Sequence, residues 1–477
     1  MASTGEPQSS WDRLAKAVFE IGGDDQIAAL RKQFPTAPSD QAEKARLEAK
    51  WKDFLKQAGI RIGTLLKTDN ISFLIGAGAS KAAGGVLLGD VPKEIESQLL
   101  AKGIKDAKVE GWLRLFYCAV RTVDAGSAAE PVADTWVVSR SKDLAAVPQL
   151  EANFEQVLVC LFRWAAVLRN TTDALTLEGT PKVKADYAQA RTALDESKRA
   201  LVKVCKLPLK NDDVNALRMH KHFLKKVLTR PLNLKRANVF TLNYDTLIEQ
   251  AADADGIVLI DGFIGTVRRT FRPESFDQDL YFPAETTEGR VHRLERVLHL
   301  YKLHGSINWV GEDWDWDNPY GVIATQGDEP PPESVLVYPT PSKFGDVLGM
   351  PYAELFRRFA ASVVRRQSTL FVIGYAFGDD HVNAIIRQAL AIPSFSLVIV
   401  DPFAPQAEAG PGFVSTLRNQ KDRRVWIVSG EALGNFAQFV DILLPDLREE
   451  EILGKVMKTF NALGGNEPQG PAEDNVE

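Results

Sequence analysis

Thiols are scarce in this chain: 477 residues hold three cysteines, and Cys118, Cys160 and Cys205 lie far apart. A structural zinc site of the paired C-x-x-C kind needs four soft ligands, so the count alone excludes it. Segments such as Phe116-Tyr117-Cys118 and Val159-Cys160-Leu161 are apolar and helical in pattern, which predicts buried thiols rather than reactive ones. No apolar run reaches about eighteen residues, so no membrane span is expected. Met1 to Ser10 is polar, which predicts no signal peptide and, with so few cysteines, a reducing cytoplasm. Positive charge is not in excess either. Lys and Arg number 57 against 63 Asp and Glu, a net charge of -6, which argues against wholesale nucleic-acid binding.

What is present is enough apolar material for one large or two ordinary domains, with 45% hydrophobic residues. The stretch Phe73-Leu74-Ile75-Gly76-Ala77-Gly78-Ala79-Ser80 reads as a buried strand delivering a glycine turn into a helix. Gly76 and Gly78 let backbone approach a ligand without a Cβ in the way, and Ser80 is placed to cap the helix that follows. A helix start of this kind offers N–H groups and partial positive charge to a pyrophosphate. The dinucleotide pattern G-x-G-x-x-G is not met, because Lys81 stands where its third glycine belongs. Asp90 is too near to serve as the ribose-holding acid of a dehydrogenase.

Further apolar runs end in polar residues or glycine, as parallel strands do at the ligand edge of an open sheet. They are Val239 to Asp245, Leu300 to Ser306, Thr369 to Gly374, Ser396 to Asp401 and Arg424 to Val428. Helical segments such as Ala353 to Arg366 and His381 to Ala391 alternate with them, which predicts an α/β fold with a Rossmann-like, doubly wound parallel sheet. Plain structural roles are open to each polar residue: a tight turn at Gly76 and Gly78, an Asx cap at Asn243, a helix cap at Asp245, a satisfied histidine at His304.

Three motifs in order resemble the sirtuin (SIR2-like) superfamily. Gly76, Ala77, Gly78, Ser80 and Gly84 fit G-A-G-x-S-x-x-x-G; Thr241, Asn243 and Asp245 fit T-x-N-x-D; and His304-Gly305 fits the histidine segment. Gly374-Tyr375-x-Phe377-x-Asp379 is similar to the G-Y-S-F-x-D segment of the bacterial SIR2-like subfamily, and Asn153-Phe154-Glu155 to its short N-F-E motif. The resemblance implies NAD as substrate, held by Gly76, Ala77, Gly78, Ser80, Thr241, Asp245, Gly374 and Asp401, with Asn243 and His304 catalytic and no metal required. Without paired cysteines, it points to defence-type SIR2-like NADases of prokaryotes, which deplete NAD when triggered during phage infection, rather than to zinc-bearing deacylases. A zinc-independent deacylase or ADP-ribosyltransferase and a non-catalytic nucleotide sensor stay open. Some relatives act as homo-oligomers or with a HerA-like ATPase, and both are expected here as partners.

Three regions follow: an N-terminal helical extension over 1–67, a catalytic domain over 68–445 with a helical insert at 91–235, and a C-terminal helix with a disordered acidic tail over 446–477. Trp11, Leu14, Val18 and Phe19 fall at helical spacing in the extension, as does the stretch 42–66. Pro330 to Pro332 read as a linker before a strand over 335–338. The loop Glu312 to Asp317, with Trp314 and Trp316, reads as a lid or partner surface, or as a cover for the core. The basic cluster from Arg218 to Arg236 reads as a solvated helix face.

Overall fold

Six segments too apolar to face water on either side, with a part-exposed edge strand beside them, form the parallel heart of a nine-stranded sheet. The computed structural model describes the chain from Lys16 to Arg448, except residues 34–40, 88–89, 107, 125–131, 143–153, 178, 180–181, 208–215, 284–290, 314, 326–334, 338–349 and 405–411, and of 335–337 the backbone alone. Trp11, Leu14, Asn153, Trp314, Pro330 to Pro332 and most of the 446–477 region fall outside the described residues. The sheet strands are β1 (Val18–Ile21), β2 (Asp24–Asp25), β3 (Asn70–Ile75), β4 (Asn238–Thr241), β5 (Val258–Ile260), β6 (Val297–Lys302), β7 (Ser368–Ile373), β8 (Phe395–Val400) and β9 (Val425–Ser429). Their order is β2-β1-β9-β8-β7-β3-β4-β6-β5, parallel from β9 to β5. From β3 the chain first builds one way through β4, then returns to build the other way from β7. The topological switch point therefore lies between β3 and β7, and a ligand crevice is expected outside their carboxyl ends.

Both faces of the six inner parallel strands are covered, which is why they read as continuous apolar runs. On one face Phe73, Val239, Leu300 and Phe371 share a core with Ile62 and Leu66 of helix α1 (Gln41–Leu66). On the other, their chain neighbours Leu74, Phe240, Tyr301 and Leu370 pack against Leu355, Phe359, Val382 and Ile386. The insert has a core of its own, built by helices α2 (Val91–Gly103), α3 (Gly111–Val123), α4 (Asp134–Lys142), α5 (Phe154–Leu168) and α6 (Tyr187–Cys205). Helix α7 (Arg218–Val227), although inside 91–235, packs Phe223 and Leu224 onto the sheet.

The N-terminal segment departs from expectation. Val18 and Phe19 are not helical; they lie in β1, which pairs antiparallel with β9 and adds an edge hairpin to the sheet. Gly22 and Gly23, with φ of 61° and 78°, form the two-residue loop between Ile21 and Asp24. A glycine pair is the residue choice for that hairpin geometry. The 42–66 stretch is the long helix α1, as its periodicity predicts.

A second, antiparallel sheet follows His304. It joins Gly305–Gly311 to Val322–Ala324, Arg269–Phe271, Phe263–Ile264 and Val335–Val337. The strand expected over 335–338 is therefore present at Val335–Val337; residue 338 lies outside the described residues. Trp316 is 95% exposed and does not cover the core.

The basic cluster is not a freely solvated face. Buried Arg230 donates to the carbonyls of Leu66, Thr68 and Lys235, Arg236 pairs with Asp279, Lys221 and Lys225 share Asp255, and Lys226 donates to Val440 O. The cations clamp α7 and its flanks to α1 and the C-terminal segment. Each guanidinium or ammonium buried at such a junction must be paired, which is why the cluster is dense here.

Candidate functional site

Apart from the N-F-E segment, whose Phe154 and Glu155 start α5 in the insert, the residues that the motifs single out lie at the carboxyl end of five adjacent strands, β8-β7-β3-β4-β6. Gly76 to Ser80 follow β3, Thr241 ends β4 with Asn243 and Asp245 after it, His304 follows β6, Gly374 follows β7 and Asp401 follows β8. The glycine turn and the loop after β7 meet at the switch point. Gly76 N–H donates to Ile373 O at 2.9 Å, and Gly78 N–H to Gly374 O at 3.0 Å.

That meeting gives the glycines a packing role and corrects the expectation of a helix start. A Cβ on Gly76 would lie 2.5 Å from Gly374 O, and one on Gly78 would lie 2.8 Å from Gly374 Cα. Backbone packing against a neighbouring loop by itself requires glycine at both positions. Gly374 itself has φ of +65° and would meet Ala79 N at 2.8 Å, so three glycines interlock. A helix does not start here. Residues 77–79 and 81–83 are two short 3-10 turns ended by Gly84 at φ +87°, and the N–H groups of Ala79 and Ser80 are spent on Gly76 O and Ala77 O. Ser80 makes no side-chain cap; its buried hydroxyl donates to Asp245 Oδ2 at 2.6 Å.

The β4 loop is bound to this turn. Thr241 Oγ1 donates to Ile75 O at 3.1 Å and accepts from Asn243 N–H at 3.0 Å. Asn243 Nδ2 donates to Gly76 O at 3.0 Å and to Ser80 Oγ at 2.9 Å. A carbonyl can only accept, so these bonds fix which end of the amide faces the turn. Among the described residues nothing donates to Asn243 Oδ1, which leaves an open acceptor at the sheet edge. Asn243 is no helix cap. Asp245 Oδ1 takes that role, accepting from Leu247 N–H at 3.1 Å at the start of α8 (Leu247–Ala254).

His304 is placed differently. Its Nε2 lies 3.0 Å from Asp379 Oδ2, on a loop that comes from β7, across β3 and β4. A carboxylate oxygen accepts, so Nε2 carries the proton and Nδ1 is the acceptor of the neutral ring. Tyr244 and Phe356 flank it at ring separations of 6.4 and 6.3 Å. Asp401 accepts from Phe403 N–H at 2.8 Å, and burial raises its carboxyl above the ordinary carboxylate range.

Several contributors were given no role from sequence. Asp379 was visible within the G-Y-x-F-x-D segment but unassigned. Lys302 is a lone cation in the wholly buried strand β6; its ammonium bonds Asp245 O and, at 2.8 Å, Glu249 Oε1. Lys81 lies 5.9 Å from the ring of Phe403, which is 69% exposed. Glu155, at the start of α5, accepts from Tyr244 OH at 3.4 Å, and Tyr244 packs against the insert's core, which includes Ile307. The insert is thus docked on the loops after β4 and β6.

Of the cysteines, which the sequence predicts to be buried, Cys118 is buried and Cys160 and Cys205 are half-buried. All three lie in insert helices, and burial pushes the thiols up, Cys118 to about 11 and Cys160 and Cys205 to about 12, so none is a thiolate near neutral pH. No group of three or more His, Cys, Asp or Glu among the described residues is arranged to hold a metal. No described helix is long and apolar enough to cross a membrane. A cleft in the insert, lined by Arg114, Cys118, Lys184 and Gln189, shares no residue with the strand-end site.

No curated protein matches the chain. Residues 237–418 match the family model described as SIR2-like domain. The match runs from the residue before β4 through α-helical residues 413–418, and so takes in Asn243, His304, Gly374, Asp379 and Asp401. It omits the glycine turn, which the insert separates in sequence and β3 restores to the middle of the sheet. This match places residues 237–418 in the SIR2-like superfamily, and the α/β fold with its parallel sheet is consistent with it.

Proposed function

We propose that the protein is an NAD hydrolase, cleaving NAD to nicotinamide and ADP-ribose. The observation that carries the reading is the pair of open acceptors, Asn243 Oδ1 and His304 Nδ1, on one ligand edge of a SIR2-like sheet. As the glycosidic bond breaks, its electron pair passes to the pyridinium nitrogen, and nicotinamide leaves neutral. Water forms the new bond to C1′ and loses a proton. An imidazole nitrogen whose partner nitrogen is held by a carboxylate suits that acceptor role, and the amide oxygen of Asn243 suits the orientation of the water or of a ribose hydroxyl. Gly76, Ala77, Gly78 and Ser80 form the floor of the crevice, with Thr241, Asp245 and Gly374 supporting it. Lys81 offers positive charge for phosphate, and Asp401 an acceptor for the adenosine hydroxyls.

Incubating the purified protein with NAD, with and without an acetyl-lysine peptide, tests the reading. Nicotinamide and ADP-ribose in equal amounts without peptide are expected. Turnover that requires the peptide would instead identify a deacylase, and binding without turnover a sensor. A role as a prokaryotic antiphage effector in the cytoplasm goes with this proposal and rests on the motif resemblance. So do a homo-oligomer and a HerA-like ATPase partner. Light scattering that finds a monomer at every concentration, with and without NAD, contradicts the oligomer.

A further inference from the structure

We infer that Asp379 is a positioning residue for His304, setting which ring nitrogen carries the proton; this rests on the hydrolase reading of His304. One carboxylate does two jobs. Oδ2 accepts from His304 Nε2 at 3.0 Å, while Oδ1 accepts from His381 N–H at 2.9 Å and caps helix α9 (Asp380–Leu390). His381 Nδ1 also lies 3.5 Å from Oδ1. The carboxylate is nearly enclosed, at 6% side-chain exposure against 16% for His304, so the bond is little screened by solvent.

The backbone of Asp379 is held as firmly as its side chain. Its N–H donates to Tyr375 OH at 2.8 Å, and that hydroxyl's single proton is shared between Asp379 O at 3.1 Å and Asn383 Oδ1 at 3.3 Å. Burial pushes the Tyr375 phenol well above its ordinary value, so it stays protonated and keeps donating. Asn383 Nδ2 donates to Phe377 O at 2.8 Å, fixing a residue with φ of +56°. A non-glycine residue in that region is held at a cost, and such costs gather at functional loops. The loop from Gly374 to Asn383 thus presents one carboxylate oxygen, across two intervening strands, to a histidine.

Asp379→Asn separates this role from capping. Asn is as good an N-cap as Asp, so its Oδ1 keeps the His381 N–H and its Nδ2 turns toward His304. A donor facing Nε2 forces the ring proton to Nδ1 and removes the acceptor from the crevice. The expected result is an unchanged melting temperature, a kcat for nicotinamide release lowered by between about tenfold and 10⁴-fold with KM little altered, and a ring ¹⁵N spectrum in which the His304 signals pass from the Nε2–H to the Nδ1–H pattern. His304→Ala identifies those signals among the six histidines. An unaltered His304 spectrum in folded Asp379→Asn overturns the inference whatever the enzyme does, and so does an altered spectrum with wild-type kcat. If His304→Ala itself turns over NAD at the wild-type rate, the hydrolase reading of His304 fails, and the catalytic part of the inference with it; the spectrum still decides the tautomer.

Discussion

At the scale of single residues, glycine and histidine carry the sharpest consequences. Because the Cβ of a Gly76 or Gly78 variant meets the main chain of Gly374, Gly78→Val should cost roughly 1–3 kcal/mol by overpacking. Urea titration should show that loss in the absence of any nucleotide; a variant as stable as wild type contradicts the interlock. Buried His220 and His299 act through protons. Burial lowers both to about 4 from 6.5, so between those values the unfolded chain binds protons that the folded chain does not. Their contribution is complete above about pH 6.5, is lost as pH falls through the window, and levels off below about 4. The urea midpoint should therefore fall from pH 7 to pH 4, and His299→Leu should flatten part of that slope. A slope that His299→Leu leaves unaltered would remove the assignment.

Elements show where physical signals compete. Strands β3, β7 and β8 were legible because six-residue apolar runs between turn residues have few other homes, and α1 because its period holds over seven turns. Strand β1 was misread: Val18 and Phe19 extend a helical-looking spacing, and only the Gly22-Gly23 pair announces a hairpin. Its place as the partner of β9 makes Phe19, fully buried between sheet and α1, a core residue. Phe19→Ala should lower stability by about 3–5 kcal/mol, read by thermal or urea unfolding, whereas a loss under about 1 kcal/mol would mean that the N-terminal hairpin is only loosely joined. The second sheet escaped notice because its strands are mostly two or three residues long, too short for period-2 alternation to register.

Across the whole molecule, motif residues separated by the insert come together only through topology. Asn243 and His304 were legible as strand-end polar residues, and the site's place at the carboxyl edge followed from the parallel order. The bonds among those residues were not legible, since Asn243 to Gly76, Ser80 to Asp245 and His304 to Asp379 span 167, 165 and 75 positions, and no local pattern encodes such pairings. The network has a structural side as well: Asn243 ties the β4 loop to the glycine turn, so Asn243→Ala should lose about 1–3 kcal/mol of stability along with activity. His304, on a loop end with one carboxylate partner, is the cleaner probe. Nicotinamide release by the activated protein should fall by about 10²–10⁴-fold in His304→Ala, with the circular dichroism spectrum and melting temperature retained. Release at the wild-type rate by that folded variant would contradict a catalytic site at the carboxyl edge of β4 and β6.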